Sequence, residues 1–282
     1  MFVSLKSIVG LGVVLWRKIV DLYRSDPYTH LYLLYDLLYE WDNCDLVLDY
    51  DLGIKSYRLF WRGIRSDAIH LWSSSGCFDF EQLLSQDLLD SLRIDSIIHL
   101  HISDQRCIEE LIDYLRDKGL VVDKSVFVDM VVDENSFKPY KPEIARRLTM
   151  DYLEEFYELK KLQFREYEYH GEFNLEDAKK YLGKYRYYGV FDDDRLVGIS
   201  CRYLALPEIG VVGDVFVHPD YRGRGYGKIL TSAITRDIVG YGAEALLHVF
   251  KGNERAIHIY EELGYRRIGE KVWISVEGRK KK

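Results

Sequence analysis

The sequence is sparing with residues that usually declare a chemistry. It has only four cysteines, Cys44, Cys77, Cys107 and Cys201, and no two of them form a C-x-x-C pair. That spacing suggests neither a zinc site nor a disulfide framework, so free thiols in a reducing compartment are expected. Positive charge is not in excess: 39 Lys and Arg face 46 Asp and Glu, for a net charge of −7 and a sequence pI near 5.7. Nucleic-acid binding as the main activity is disfavoured, because such domains carry a dominant basic face. The short basic run Arg279 to Lys282 reads as a solvated end. Long apolar runs are missing too. Ile8 to Trp16 is short, is bracketed by Lys6, Arg17 and Lys18, and has no small-residue cleavage site after it. Neither a membrane span nor a secretory signal is expected, and the chain reads as cytoplasmic.

What is present is an ordinary globular composition, 48% hydrophobic and 30% charged, in a chain of 282 residues. That length suits two domains, each burying its own core. Apolar periodicity predicts helices from Leu5 to Tyr23, closed by Asp26-Pro27, and from Thr29 to Glu40. Strand-like runs follow at Leu46 to Leu52, Ser56 to Gly63 and Ala68 to Ser73. Then come a helix Phe80 to Leu92, a strand Ser96 to Ser103, a helix Gln105 to Lys118 ended by Gly119, and a strand Ser125 to Val132. A polar stretch with Pro139 and Pro142 marks a junction near Asp133 to Pro142. The second half repeats the order: helices Arg146 to Phe164 and Leu175 to Leu182, then strands Tyr187 to Asp192, Arg195 to Leu204 and Val211 to Val217. We therefore expect an α+β protein (α/β mixed) of two similar domains, residues 1–135 and 136–282.

The stretch Val211 to Tyr241 organises the second half. A β-branched run meets Pro219, turns through Gly223, Gly225 and Gly227, and leaves as an amphipathic helix. Glycines at such a junction adopt positive φ and let consecutive N–H groups converge on one anion. The following helix adds its unpaired donors and partial positive charge. Arg222, Arg224 and Lys228 add mobile cations suited to a pyrophosphate. A P-loop does not fit, because Ile229 follows Lys228 where Ser or Thr is needed. Nor does a dinucleotide fingerprint: a single residue, Tyr226, separates Gly225 from Gly227, and Glu244 precedes the next apolar run where the ribose-binding acid should follow it.

The run Arg222 to Gly227, RGRGYG, directly after a strand ending in Val-x-Pro, resembles the acetyl-CoA pyrophosphate loop of the GNAT superfamily (GCN-related N-acetyltransferases). Downstream, Asn253 to Arg266, NERAIHIYEELGYR, resembles that family's second signature. The resemblance covers roughly Arg146 to Ile274 and implies two GNAT-like domains, each a twisted, mostly antiparallel sheet flanked by helices. The slot after the third strand of the first half, Ser73 to Asp79, has one glycine and no cation, and Asp79 and Glu81 enter its helix. An acidic helix start repels phosphate, so the first half reads as a degenerate domain without a phosphate loop.

The resemblance implies transfer of an acetyl group from acetyl-CoA, the co-substrate, directly to an amine, with no metal. No Ser-His-Asp or Cys-His-Asn arrangement is apparent, in keeping with direct attack. Backbone N–H groups of Arg222, Gly223, Arg224, Gly225, Tyr226, Gly227 and Lys228 would grip the pyrophosphate, and Val215, Phe216 and Val217 would pair with the pantetheine as an added strand. Val217 or Phe216 would polarise the thioester carbonyl. Tyr260 matches the family tyrosine that protonates the departing thiolate, although Ala256, Tyr260 and Leu263 also share a helix face and fit a core role. Asn253 matches the motif asparagine near the pantetheine and equally fits a helix N-cap. Asp214, at the place where many relatives carry a carboxylate, is the candidate base for the amine, with Glu208, His248 or water as alternatives; a turn carboxylate is the plainer reading of Asp214 and a packed strand histidine that of His248. The implied partners are acetyl-CoA and an amine acceptor, with no nucleic acid or membrane, and a homodimer is compatible. A CoA-binding sensor or interaction module with little turnover, and a longer acyl donor, remain open at this level.

Overall fold

Local sequence accounts for most element boundaries in the computed structural model, which describes residues 2–5 and 11–279. A strand β1 (Phe2–Leu5) is followed by helices α1 (Val13–Ser25) and α2 (Pro27–Tyr39). Asp26 ends the first helix and caps the second, its carboxylate accepting from the Thr29 N–H at 3.2 Å, while Pro27 fills a helical position that needs no donor. The expected helix over Leu5 to Tyr23 therefore starts later, and residues 6–10 lie outside the described residues, as does most of the basic end. Strands β2 (Cys44–Tyr50), β3 (Ile54–Arg62) and β4 (Asp67–Ser73) come next. The expected helix Phe80 to Leu92 is two pieces, α3 (Phe80–Leu83) and α4 (Gln86–Ser91), because the Ser85 hydroxyl accepts the Leu88 N–H and starts a new helix. Then come β5 (Ser96–His101), α5 (Gln105–Asp117) and β6 (Leu120–Val132).

The second half holds β7 (Arg146–Arg147), α6 (Leu153–Glu166), α7 (Leu175–Lys184), β8 (Arg186–Asp192), β9 (Arg195–Ala205), β10 (Ile209–Val217), α8 (Tyr226–Val239), β11 (Glu244–Phe250), α9 (Glu254–Glu262) and β12 (Arg266–Arg279). Helix α6 begins seven residues after Arg146, where the sequence pattern started it. The sheet edge claims Arg146 and Arg147, which pair with Gly189 and Tyr188, and Leu148 donates to the Tyr187 carbonyl at 2.9 Å.

The chain forms two units: residues up to Val126 together with those from Lys271, and Phe127–Glu270. In the first the strand order is β1-β2-β3-β4-β5-β12, and in the second β6-β11-β10-β9-β8-β7. Each sheet is antiparallel except for one parallel pair, β4 with β5 and β10 with β11. The last strand of each half completes the other unit's sheet: Phe127 to Val132 of β6 pair with β11, and Val272 to Val276 of β12 pair with β5. The first unit's core gathers Leu71, Ile98, Leu100, Leu111 and Ile274. The second packs α8 and α9 on its sheet through Ile234, Ile238, Ala245, Leu247, Ile257 and Leu263. Each such buried aliphatic side chain contributes roughly 1.5–3 kcal/mol.

The cysteine expectation needs correction. Cys77 and Cys107 are joined in a disulfide with Cα atoms 5.4 Å apart, while Cys44 and Cys201 are free. The fold brings the segment after β4 beside the first turn of α5, a proximity that sequence spacing does not record. No helix among the described residues is long and apolar enough to cross a membrane.

Candidate functional site

The site starts from a ladder that stops early. Strands β10 and β11 pair in parallel from Ile209↔Glu244 to Val212↔Leu247, and Gly213 to Val217 run on past the last pair. On its other edge β10 stays paired with β9, but Gly213 opposes Cys201 and Phe216 opposes Ile199. Three steps on β10 thus match two on β9, which is one extra residue, a β-bulge. Asp214 sits in that bulge with φ +53°, in the left-handed region that favours glycine and that Asp and Asn tolerate better than other side chains. From Gly213 on, β10 therefore has no β11 partner, a strand edge suited to an extended ligand that pairs with main chain. In the first unit β4 and β5 stay paired from Ala68↔Ile97 to Trp72↔His101, the end of β5. Among the described residues that unit has no equivalent break in its parallel pair.

The loop beyond β10 runs through the short turn Pro219–Tyr221 into α8. Gly223 and Gly225 have φ of +82° and +83°, and Gly225 is the N-cap of α8, so no described side chain satisfies that helix start. A Cβ added at Gly223 or Gly227 would meet nothing within 4 Å, consistent with an exposed cradle. The cations expected to serve an anion have acidic partners. Arg222 pairs with Glu166, Arg224 with Asp192 at 3.3 Å and Lys228 with Glu262 at 3.1 Å. Tyr226 donates to Asp192 at 2.9 Å. These contacts hold the three cations on carboxylates at the rim of the loop.

Tyr260 is half-buried on α9, and burial, with Tyr167 next in effect, pushes its pKa up to about 12. Such a phenol stays protonated and keeps its hydroxyl as a hydrogen-bond donor, while becoming a weaker acid. Tyr167, which follows α6, sets its ring edge-on to Phe216 at 5.9 Å, next to the open part of β10. Asn253 is the N-cap of α9, its side chain accepting from Ala256 N–H at 3.1 Å. Val215 and Val217 flank the buried Phe216 and are themselves half-buried.

Of the candidate bases, Asp214 is the most heavily engaged. It accepts from Lys160 Nζ at 2.8 Å, Gln163 Nε2 at 2.7 Å and Tyr187 Oη at 2.5 Å. Three of the roughly four acceptor positions of a carboxylate are then taken. Glu208 lies just before β10, at the end opposite the bulge, about 15–20 Å of extended chain away. His248 is the first residue of β11 past the last pair, and its Nδ1 contacts Asp129 Oδ1 at 2.5 Å, with both side chains buried. Asp129 arrives on β6, from the first half of the sequence.

Sequence reasoning missed Lys160, Gln163, Tyr187, Glu166 and Asp129, whose roles depend on which elements meet. The spacing of Lys160, Gln163 and Glu166, three residues apart, was the one readable signal. A cavity of about 460 Å³ bordered by α6, the start of β9 and His218 contains none of the expected site residues. Among the described residues no group of three or more His, Cys, Asp or Glu is arranged to hold a metal.

Comparison with known proteins gives a consistent picture. The family described as FR47-like protein matches residues 187–274. A mycothiol acetyltransferase of Rhodococcus jostii is 36% identical over 92 residues, 30% of each chain. The match therefore spans under a third of that relative's length. The fold is similar to that of a Drosophila protein, with TM-score 0.67 and 16% identity over 98% of both chains. It is also similar to a tandem GNAT protein from the clavulanic acid biosynthesis pathway, with TM-score 0.59 and 14% identity over 100% of this chain and 99% of that one.

Proposed function

We propose that the C-terminal half of this chain is a GNAT-superfamily domain and that the protein is an N-acetyltransferase that moves an acetyl group from acetyl-CoA directly to an amine, a reading supported by the FR47-like match over residues 187–274. The observation that carries the reading is the join of an open strand edge, Gly213 to Val217, to a glycine cradle whose helix start lacks a side-chain cap. Main-chain N–H groups of Arg222 to Lys228 would grip the pyrophosphate, with Arg224 and Lys228 exchanging their carboxylate partners for it. Val215 to Val217 would pair with the pantetheine, and the N–H of Val217 or Phe216 would stabilise charge developing on the thioester oxygen.

In this reading the amine nitrogen forms the new C–N bond as the C–S bond breaks. Tyr260 hydrogen-bonds to the departing sulfur and relays a proton to it, the phenol being re-protonated from solvent so that it ends the step neutral. His248, held by Asp129, takes the proton lost by the amine. Asp214 keeps its three donors and acts on the strand. The first unit binds no CoA, since its strand pair stays closed, and the compartment is the cytoplasm. Titration calorimetry with acetyl-CoA, followed by a free-thiol assay over a panel of amines, amino acids and peptide N-termini, tests the proposal. Binding with acceptor-dependent thiol release is expected, and absence of binding would refute it.

A further inference from the structure

We propose that the buried ion pair between Lys160 and Asp214 holds the β10 bulge in place, which makes these two side chains positioning residues for CoA binding and transfer. The inference rests on the CoA reading above and adds to it the question of what fixes that strand edge. A bulge whose extra residue sits at φ +53° usually calls for glycine, and this chain puts Asp214 there. The choice makes sense if the side chain does the fixing. Its carboxylate is tied to α6 by Lys160 and Gln163 and to β8 by Tyr187, and all three donors are buried.

Lys160 is suited to that task and to little else. Its ammonium lies 5.1 Å from the Tyr181 ring centre, 5.6 Å from Phe164 and 6.0 Å from Phe173, sealed from water except through its partner. Removing either charge would strand the other in an apolar setting. Gln163 gives a second sign: its Oε1 is buried with no hydrogen-bond partner among the described residues, a cost accepted to aim Nε2 at Asp214. Three residues on, Glu166 pairs with Arg222, whose Nε donates to the Val217 carbonyl at 3.0 Å. One stripe of α6, residues 160, 163 and 166, therefore grips both ends of the strand segment that would meet the thioester.

The test measures acetyl-CoA Kd by calorimetry and kcat by thiol release in the full chain for Lys160→Met, Asp214→Asn and the double variant. Each single change should weaken CoA binding by about tenfold or more and lower kcat, because a lone buried charge pulls the bulge apart. The double variant restores neutrality, keeps Asn in a conformation it tolerates and retains amide partners for Gln163 and Tyr187. It should return to within about threefold of the parent in both quantities. A companion, Lys160→Met with Asp214→Gly, permits the backbone angle without holding it and should bind as weakly as the single variants. This pair of doubles serves even if a single variant fails to fold. Unchanged CoA affinity in folded single variants, equal behaviour of the Asn and Gly doubles, or an Asn double that regains affinity but not kcat would each overturn the inference. A parent protein that binds no CoA would instead refute the functional reading, and this inference with it.

Discussion

Tyr260 shows how far one side chain's setting can define its chemistry. Burial and Tyr167 push its pKa up to about 12, so the hydroxyl remains a donor throughout the working range of pH. Tyr260→Phe should lower kcat by about 10²-fold while changing CoA Kd only a few-fold, as expected of a general acid. Equal loss in both would assign Tyr260 to packing. At the other extreme stands His30, buried in the first unit beside Tyr57, Nδ1 to Oη 3.1 Å. Its pKa is lowered from 6.5 to about 4, first by burial and then by Lys271, while Asp26 acts the other way. Burial likewise lowers His101 well below its ordinary value. With folded pKa below unfolded pKa, the unfolded chain binds more protons in the window between them. The stability from His30 is complete above pH 6.5, is lost as pH falls toward 4, and amounts to about 3 kcal/mol at most. Urea midpoints should therefore drop between pH 7 and 4.5, and His30→Gln should flatten that slope.

At the scale of elements, the junction of β10 with α8 depends on backbone angles more than on side-chain volume. A Cβ at Gly225 would come no nearer than 3.8 Å to Tyr140, so Gly225→Ala adds strain at φ +83° without a clash. That strain is about 1 kcal/mol, and CoA binding should weaken about fivefold while the fold persists. The α5 junction in the first unit depends on a covalent link. The Cys77–Cys107 bridge spans 30 residues, for which loop-closure entropy gives roughly 3–4 kcal/mol. Cys107→Ser, or reduction, should lower the melting temperature of the first unit's transition. In a cytoplasm the bridge would meet a reducing pool, so its state in cells reports directly on the compartment.

The exchange of end strands sets the prediction for the molecule as a whole. A fragment cut at the sequence junction, residues 136–282, lacks Phe127 to Val132, which pair with β11 from Ala245 to Phe250. It also lacks Asp129, the partner of His248. That fragment should express poorly and aggregate through the bared β11 edge, whereas residues 127–270 keep the second unit's sheet pairing intact. Circular dichroism and acetyl-CoA calorimetry on the two fragments would check this. Comparable folding of both would show that the exchanged strand is dispensable.

The sequence by itself determined the repeated element order, the strand, glycine turn and helix from Val211 to Tyr241, and the two motifs carrying Gly225 and Tyr260. These are local properties: periodicity, capping and the positive φ that glycine admits are set by neighbours a few residues away. Only the tertiary structure decided which residues meet. The break of the β10–β11 ladder after Val212, the capture of Asp214 by Lys160, Gln163 and Tyr187, the Cys77–Cys107 bridge and the return of β6 and β12 to the opposite units join residues from about 30 to over 150 positions apart. No short-range pattern encodes such pairings, because they follow from how whole sheets and helices pack.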